Sequence, residues 1–130
     1  MLTDEIKARL AAQSLVNSGF TVFRNVMPDT PHQVIAIFEY GGMAPELFFS
    51  GSTLEQPSIQ FRVRGNPNDH DAPRAQIDDI FQAVTNWGGF TQSGTVYLGL
   101  QAIQSPFLMN RDANERLEFC VNFKVLKGFS

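Results

Sequence analysis

The stretch from Ser58 to Trp87 constrains the fold most, because the spacing of its apolar residues changes once within it. At first Ile59, Phe61 and Val63 alternate with polar residues, which is typical of a strand with one buried face. Residues 65–71, rich in Gly, Pro, Asn and Asp, then predict a turn. The apolar residues that follow have helical spacing: Ile77, Ile80, Phe81, Val84 and Trp87. A strand and a helix that each have one apolar face predict a sheet covered by a helix.

The rest of the chain predicts a second helix and four more strands. The helix is expected over residues 2–17, with Thr3 as its N-cap and residues 17–19 as its C-cap. The strands are expected from β-branched, aromatic or alternating composition at 20–24, 34–40, 95–104 and 116–127. The predicted fold class is α+β, a mostly antiparallel sheet of about five strands with two helices packed on one face. We expect residues 1–130 to form a single domain.

Two segments between these elements are predicted to be loops with exposed apolar residues. Gly41 and Gly42 are expected to end the second strand, so that residues 43–57 form a long loop. A loop of this length is usually functional, and two interpretations are open: contact with a partner, or packing on the chain's own core. Residues 107–115 are expected to form the tip of a hairpin. The candidate subunit or partner contacts are Leu47, Phe48, Phe49, Leu54, Phe107, Leu108, Met109 and Arg111.

Composition limits the classes of function. A formal net charge of -3 disfavours a protein that wraps nucleic acid through phosphate contacts. The single cysteine, Cys120, cannot form an internal disulfide and favours a reducing compartment. Phenylalanine is frequent, 12 of 130 residues, and some of these rings could serve an interface rather than the core. No apolar run reaches the roughly 20 residues that a membrane-spanning helix needs.

The polar motifs favour structural roles over chemistry. Asp69, His70 and Asp71 could hold a cation or move protons, but they lie in one loop, whereas a site needs groups that converge from several elements. Cys120 has no matching His motif, so a packed thiol is favoured over a nucleophile. Arg62 and Arg64, on one strand face, could bind phosphate, although a wetted face with arginines paired across strands is favoured. No catalytic, metal-binding or cofactor-binding residue and no small-molecule substrate is therefore predicted.

Several segments, in this order, carry a family resemblance: residues 35–42, 59–65, 104–107 with 111–112, and 116–119 with 121–123. The chain resembles a family of tailed-bacteriophage minor capsid proteins that is similar to tail terminator, or tail-to-head joining, proteins. The resemblance runs from about Val34 to Val125. Where the family tends to have glycines in the last hairpin loop, this chain has Asn110 and Asn114, which tolerate the same left-handed backbone.

The resemblance implies a structural protein of the virion, assembled in the cytoplasm of the host bacterium. It implies a hexameric ring of identical copies that caps the tail tube, stops its polymerisation and docks to the head connector, with DNA only passing through the lumen. The implied partners are other copies of the chain, the tail tube protein and the connector or neck proteins. Three alternatives stay open: a head-completion or connector adaptor of the phage neck, a small metal-dependent enzyme that uses Asp69, His70 and Asp71, and a general nucleic-acid-binding module.

Overall fold

A computed structural model describes the backbone of residues 2–47 and 53–128, and the side chains of residues 2–40 and 57–128. Two helices and seven strands follow one another in the described chain. The elements are α1 (Leu2–Ala12), β1 (Thr21–Arg24), β2 (Val34–Leu47), β3 (Thr53–Pro67), α2 (Asp71–Thr85), β4 (Phe90–Gln92), β5 (Thr95–Ala102), β6 (Phe107–Arg111) and β7 (Arg116–Lys127).

All seven strands belong to one sheet, in the order β1-β2-β3-β7-β5-β4, with β6 also paired to β7. Strands β1 and β2 are parallel, and the other pairs are antiparallel. The predicted α+β class and mostly antiparallel sheet are confirmed, but the predicted strand number of about five was wrong. The sequence did not reveal β4, which is only three residues long, or β6, which lies in the predicted loop tip.

The β2–β3 hairpin is much longer than predicted. Strand β2 continues through Gly41 and Gly42 to Leu47, so the described residues 43–47 and 53–57 of the predicted loop belong to strands. Strand β3 runs from Thr53 to Pro67 rather than from Ser58 to Arg64. Pairing between the strands continues past the residues that favour turns. Register shifts between Tyr40 and Glu46 and after Arg64 accommodate the glycines and prolines.

The core lies between the two helices and one face of the sheet. The predicted stripe of α2 is confirmed for Ile77, Ile80 and Val84, which are fully buried in the core cluster. Phe81 is half-buried, and Trp87 is buried but lies beyond the helix, which ends at Thr85. Helix α1 contributes Ile6 and Leu10 to the same cluster, as predicted, so both helices cover one face. This packing is what makes α1 helical, because its own apolar stripe is short.

Helix α1 is shorter than predicted. It ends at Ala12 instead of Asn17, and Ser14 just beyond it takes a left-handed backbone with φ of 54°. Thr3 is not an N-cap, because it lies buried within the helix, which already includes Leu2. Leu15 and Val16, beyond the helix, still pack against the core as half-buried residues. The apolar pattern was therefore right about burial and wrong about where the helix stops.

The second face of the sheet is not covered by any described helix, and we call it the open face. Directly paired residues lie on the same face of a sheet. One transverse row on this face joins Ala36, Arg62 and Cys120 through the pairings of β2, β3 and β7. A neighbouring row joins Phe38, Gln60 and Asn122. The open face thus combines polar and aromatic side chains, in contrast to the apolar helix-covered face.

Candidate assembly surfaces

Strand β6 carries four of the predicted contact residues, and it is a strand rather than a hairpin tip. Strand β6 pairs with the first part of β7, and β5 pairs with the second part. The two strands therefore lie end to end along the same side of β7. Phe107 and Leu108 have exposed fractions of 38% and 52%, Arg111 is also exposed, and Met109 is half-buried. Arg111 forms an ion pair with Glu115 at 2.5 Å. Strand β6 therefore presents apolar side chains to solvent.

Exposed apolar side chains continue from β6 along the same edge of the sheet. Leu98 in β5 and Ile103 just after it are more than half exposed. Beyond Tyr97 none of the described strands covers β5 on its outer side, because β4 pairs only with residues 95–97. An exposed apolar strand edge is a template for pairing with another chain, and native proteins usually protect such edges. We call residues 98–111 the β5–β6 edge.

A buried arginine holds the turn between β6 and β7. Arg116 is 3% exposed, and its Nε donates to Oδ2 of Asp112 at 2.8 Å. Its Nη2 donates to Oδ1 of Asp29 at 2.7 Å, and its Nη1 donates to the Asp29 carbonyl at 2.6 Å. Burial lowers the pKa of Arg116, but the hydrogen bonds to Asp29 and Asp112 outweigh this and leave its pKa raised. Asp112 also accepts from the backbone N–H groups of Asn114 and Arg116, which fixes the turn.

A second buried arginine holds the loop before β2. The Arg64 guanidinium donates to the carbonyl oxygens of Pro28, Pro31 and His32 at 2.7, 2.6 and 3.0 Å. Burial and the neighbouring charge of Arg116 lower the pKa of Arg64. The favoured interpretation, that Arg62 and Arg64 lie on one solvent-exposed face, was wrong, because Arg64 is buried and its hydrogen bonds hold the loop in place.

Arg62 has a different environment on the open face. Its guanidinium stacks over the Phe38 ring at 4.7 Å, and its Nε donates to Oε1 of Gln60 at 2.5 Å. Together with Tyr40 and Asn122 these residues line a shallow depression of about 450 Å³. Beside it, Cys120 is buried, and its burial raises the pKa of its thiol, as expected for a packed rather than a nucleophilic cysteine.

The Asp69–His70–Asp71 loop has structural contacts of its own. Asp69 accepts from the Ala72 N–H at 3.3 Å at the start of α2. The His70 ring packs edge-on against Phe119, with ring centroids 5.5 Å apart. Asp71 is exposed and lies 3.4 Å from His70 Nδ1. Across the part of the chain that the structure describes, no group of three or more His, Cys, Asp or Glu residues is placed to hold a metal ion.

A buried carboxylate anchors α1 to β5. Glu5 accepts from the Thr95 hydroxyl at 2.7 Å and from the Tyr97 hydroxyl. Burial alone would raise the pKa of Glu5, but these hydrogen bonds lower it below its ordinary value of 4.5. Burial, together with the bond to Glu5, raises the pKa of Tyr97. The helix is thus fastened to the first residues of β5 by charge-assisted hydrogen bonds.

We expect the hydrogen bonds of Glu5 to make the free energy of unfolding depend on pH. A carboxyl group with a lowered pKa in the folded state stabilises above its unfolded pKa, here 4.5, and this contribution is lost as the pH falls through the folded pKa. Urea unfolding should show that the wild type loses more stability than Glu5→Gln between about pH 7 and about pH 3. Asp4→Asn removes a partly exposed carboxylate of α1 that pairs with Arg24, and as the control it should change the pH dependence less than Glu5→Gln, because exposed ion pairs contribute little. Equal pH dependence of wild type and Glu5→Gln would contradict the assignment.

Two of the four predicted contacts in 43–57, Leu47 and Leu54, belong to the described ends of β2 and β3. Leu47 pairs with Thr53, and Leu54 pairs with Glu46, at backbone level. Phe48 and Phe49 lie outside the described residues. The hairpin extends past the point where β7 supports it, since the last pairing of β3 with β7 is Glu55 with Lys127. The assignment of these four residues to a partner contact stays a prediction.

Comparison with known protein families identifies the family to which this chain belongs. A family model described as bacteriophage tail terminator protein matches residues 9–127, most of the chain. The chain belongs to the bacteriophage tail terminator family. The resemblance noted in the sequence is thereby confirmed, and the terminator is a structural protein of the phage tail. No curated protein matches the chain significantly. None of the terminator's described helices has the length and apolar character needed to span a membrane.

Sequence reasoning missed two features of the terminator. The first is the exposed edge of β1, which is visible only from the strand order. The second is the network of Arg64, Arg116 and Asp29, whose members are far apart in the chain. The only local signal is the alternation of β7, which places Arg116 opposite the apolar residues and contains no information about its burial. Its burial follows from the loop that folds over it.

Proposed function

We propose that this tail terminator forms a closed hexameric ring on the last ring of the tail tube, stops polymerisation of the tube and presents the surface to which the head connector docks. The observation that supports this most is the family match, which spans every strand from β1 to β7 and all of α2. The partners are other copies of the chain, the tail tube protein and the connector proteins, and DNA only passes through the lumen. Its place is in the virion, at the junction of tail and head.

The surfaces of the molecule suit a ring subunit. A ring of identical copies needs head-to-tail contacts, so each copy must carry two different contact surfaces. The sheet offers two different edges: β1 on one side and the β5–β6 edge on the other. The net charge of -3 also suits a pore through which DNA must slide, because a strongly basic lining would hold phosphate.

We also propose that the protein is not an enzyme. The family is a structural one. Three titratable residues considered in the sequence have structural contacts: Asp69 accepts from the Ala72 N–H in the first turn of α2, His70 packs on Phe119, and Cys120 is a buried thiol. The hypothesis of a metal-dependent enzyme rested on Asp69, His70 and Asp71; the first two have structural contacts, and Asp71 is exposed to solvent.

Electron microscopy of phage particles lacking this gene tests the proposed function. We expect abnormally long, headless tails, because nothing would stop the tube from growing, and normal tails once the gene is supplied in trans. Headless tails of normal length would instead indicate a connector adaptor. Complementation with Asp79→Ala, a change on the exposed side of α2, is a control that should restore normal tails.

A further inference from the structure

We propose that neighbouring copies in the ring join by strand pairing, the β6 edge of one copy binding the β1 edge of the next. This deepens the proposed function, on which it rests, because it names the surfaces that close the ring. The occupant of the β6 edge is thus a second copy of this chain. The argument depends on three properties of the sheet: exposure of both edges, their alignment and their direction.

Both edges are open among the described strands. Strand β1 pairs only with β2, and β6 pairs only with β7. The N–H groups of Thr21 and Asn25 donate inward, to the carbonyls of Gln33 and Ile37 at 3.3 and 2.7 Å. Because successive strand residues point their backbone groups to opposite sides, the N–H and C=O groups of Val22 and Arg24 point away from β2. These groups are available to another strand.

The two edges are aligned across the sheet. One row of directly paired residues runs from Phe23 through Ala36, Arg62 and Cys120 to Phe107. The next row runs from Thr21 through Val34, Arg64 and Glu118 to Asn110. Strands β1 and β6 therefore occupy the same half of the sheet at opposite edges, and side by side they would continue these rows from one copy to the next.

The strand directions also fit. Strand β1 is parallel to β2, and β2 has the same direction as β7, since both are antiparallel to β3. Strand β6 is antiparallel to β7 and so to β1. When copies follow one another in the same orientation, β6 of one copy therefore meets β1 of the next in the antiparallel sense, which is the more stable pairing.

The proposed pairing gives the exposed apolar residues of β6 a function in the contact. Phe107 lies in the same row and on the same face as Phe23, so the two aromatic residues would face each other across the contact, a favourable cross-strand pair. Because the two edges differ, the contact is head-to-tail, and its repetition closes a ring when the rotation from copy to copy completes a full turn without a rise. One short strand pair is a small interface and binds weakly by itself. Stable assembly therefore requires that all contacts of the ring form together on the tail tube.

Cross-linking in assembled tails tests the pairing. Thr21 and Asn110 end the second row on the same face, and both are exposed, so Thr21→Cys with Asn110→Cys places two thiols within disulfide reach across the contact. The double variant is supplied in trans to phage lacking the gene. Purified tails are then oxidised, or treated with a short bismaleimide, and analysed on denaturing gels. We expect a ladder of covalent multimers up to a closed ring.

The controls separate the outcomes. The parent chain, whose only thiol is the buried Cys120, and each single variant should give no ladder. Thr21→Cys with Asp79→Cys, which places the second thiol on α2, should also give none. A terminator present in tails but without a ladder overturns the strand pairing and leaves the proposed function standing. Dimers from Asn110→Cys alone also overturn it, because they indicate β6–β6 pairing. A parent chain absent from tails overturns the proposed function as well.

Discussion

Replacing Phe61 with alanine should lower the free energy of unfolding by about 3–5 kcal/mol, the usual cost of removing a buried phenyl ring. Phe61 is fully buried at the centre of the sheet. Its ring packs edge-to-face on Phe123, with centroids 5.7 Å apart, so the substitution also removes a favourable aromatic pair. The surrounding core cluster contains buried residues of β2, β3, β5 and β7 and of both helices, which cannot all move to fill the space. Urea unfolding monitored by circular dichroism measures the change.

Phe107→Ala is the matched control for this prediction. It removes the same ring from β6, where the side chain is 38% exposed, and should cost less than about 1 kcal/mol. The two variants separate stability from assembly, because Phe107→Ala should fold normally but weaken incorporation into tails. A similar loss of stability in both variants would contradict the assignment of Phe61 to the core and Phe107 to an open edge.

Arg116→Ala should lower the free energy of unfolding by about 2–4 kcal/mol, because it removes a buried guanidinium and leaves the largely buried Asp112 carboxylate and the Asp29 carbonyl without their donor. Arg116 joins three parts of the chain: its own strand, Asp112 in the preceding turn and Asp29 in the loop before β2. Without it the turn and the loop lose their shared anchor, and Asp112 keeps a charge with no cation beside it. Chemical denaturation measures the loss.

Arg111→Ala is the control from the same hairpin. Arg111 also has a carboxylate partner at 2.5 Å, but both side chains of that ion pair are about half exposed. Exposed ion pairs contribute about 0–1 kcal/mol, so this variant should stay close to the wild type. If both arginine variants unfolded at the same urea concentration, burial of Arg116 would not be what holds the turn.

The outcome for the candidate contacts shows what local patterns can and cannot predict. Phe107 and Leu108 were singled out because apolar residues lay in an apparent loop, and both side chains are exposed. Their backbone was assigned wrongly, because a five-residue strand with no buried stripe has no periodicity of its own and forms only because β7 pairs with it. Strand β1, the other edge of the proposed contact, was predicted as a strand, but its position at the sheet edge was not.

The sequence by itself determined the elements in which buried residues recur at the spacing of a strand or a helix. The alternating residues of β7 and the helical stripe of α2 specify which face is buried, since burial of apolar area is additive along one element. Only the tertiary structure decided the strand order, the extension of β2 through Gly41 and Gly42, and the burial of Arg64 and Arg116. Those features depend on pairing and hydrogen bonds between residues far apart in the chain, and a local pattern contains no information about such partners.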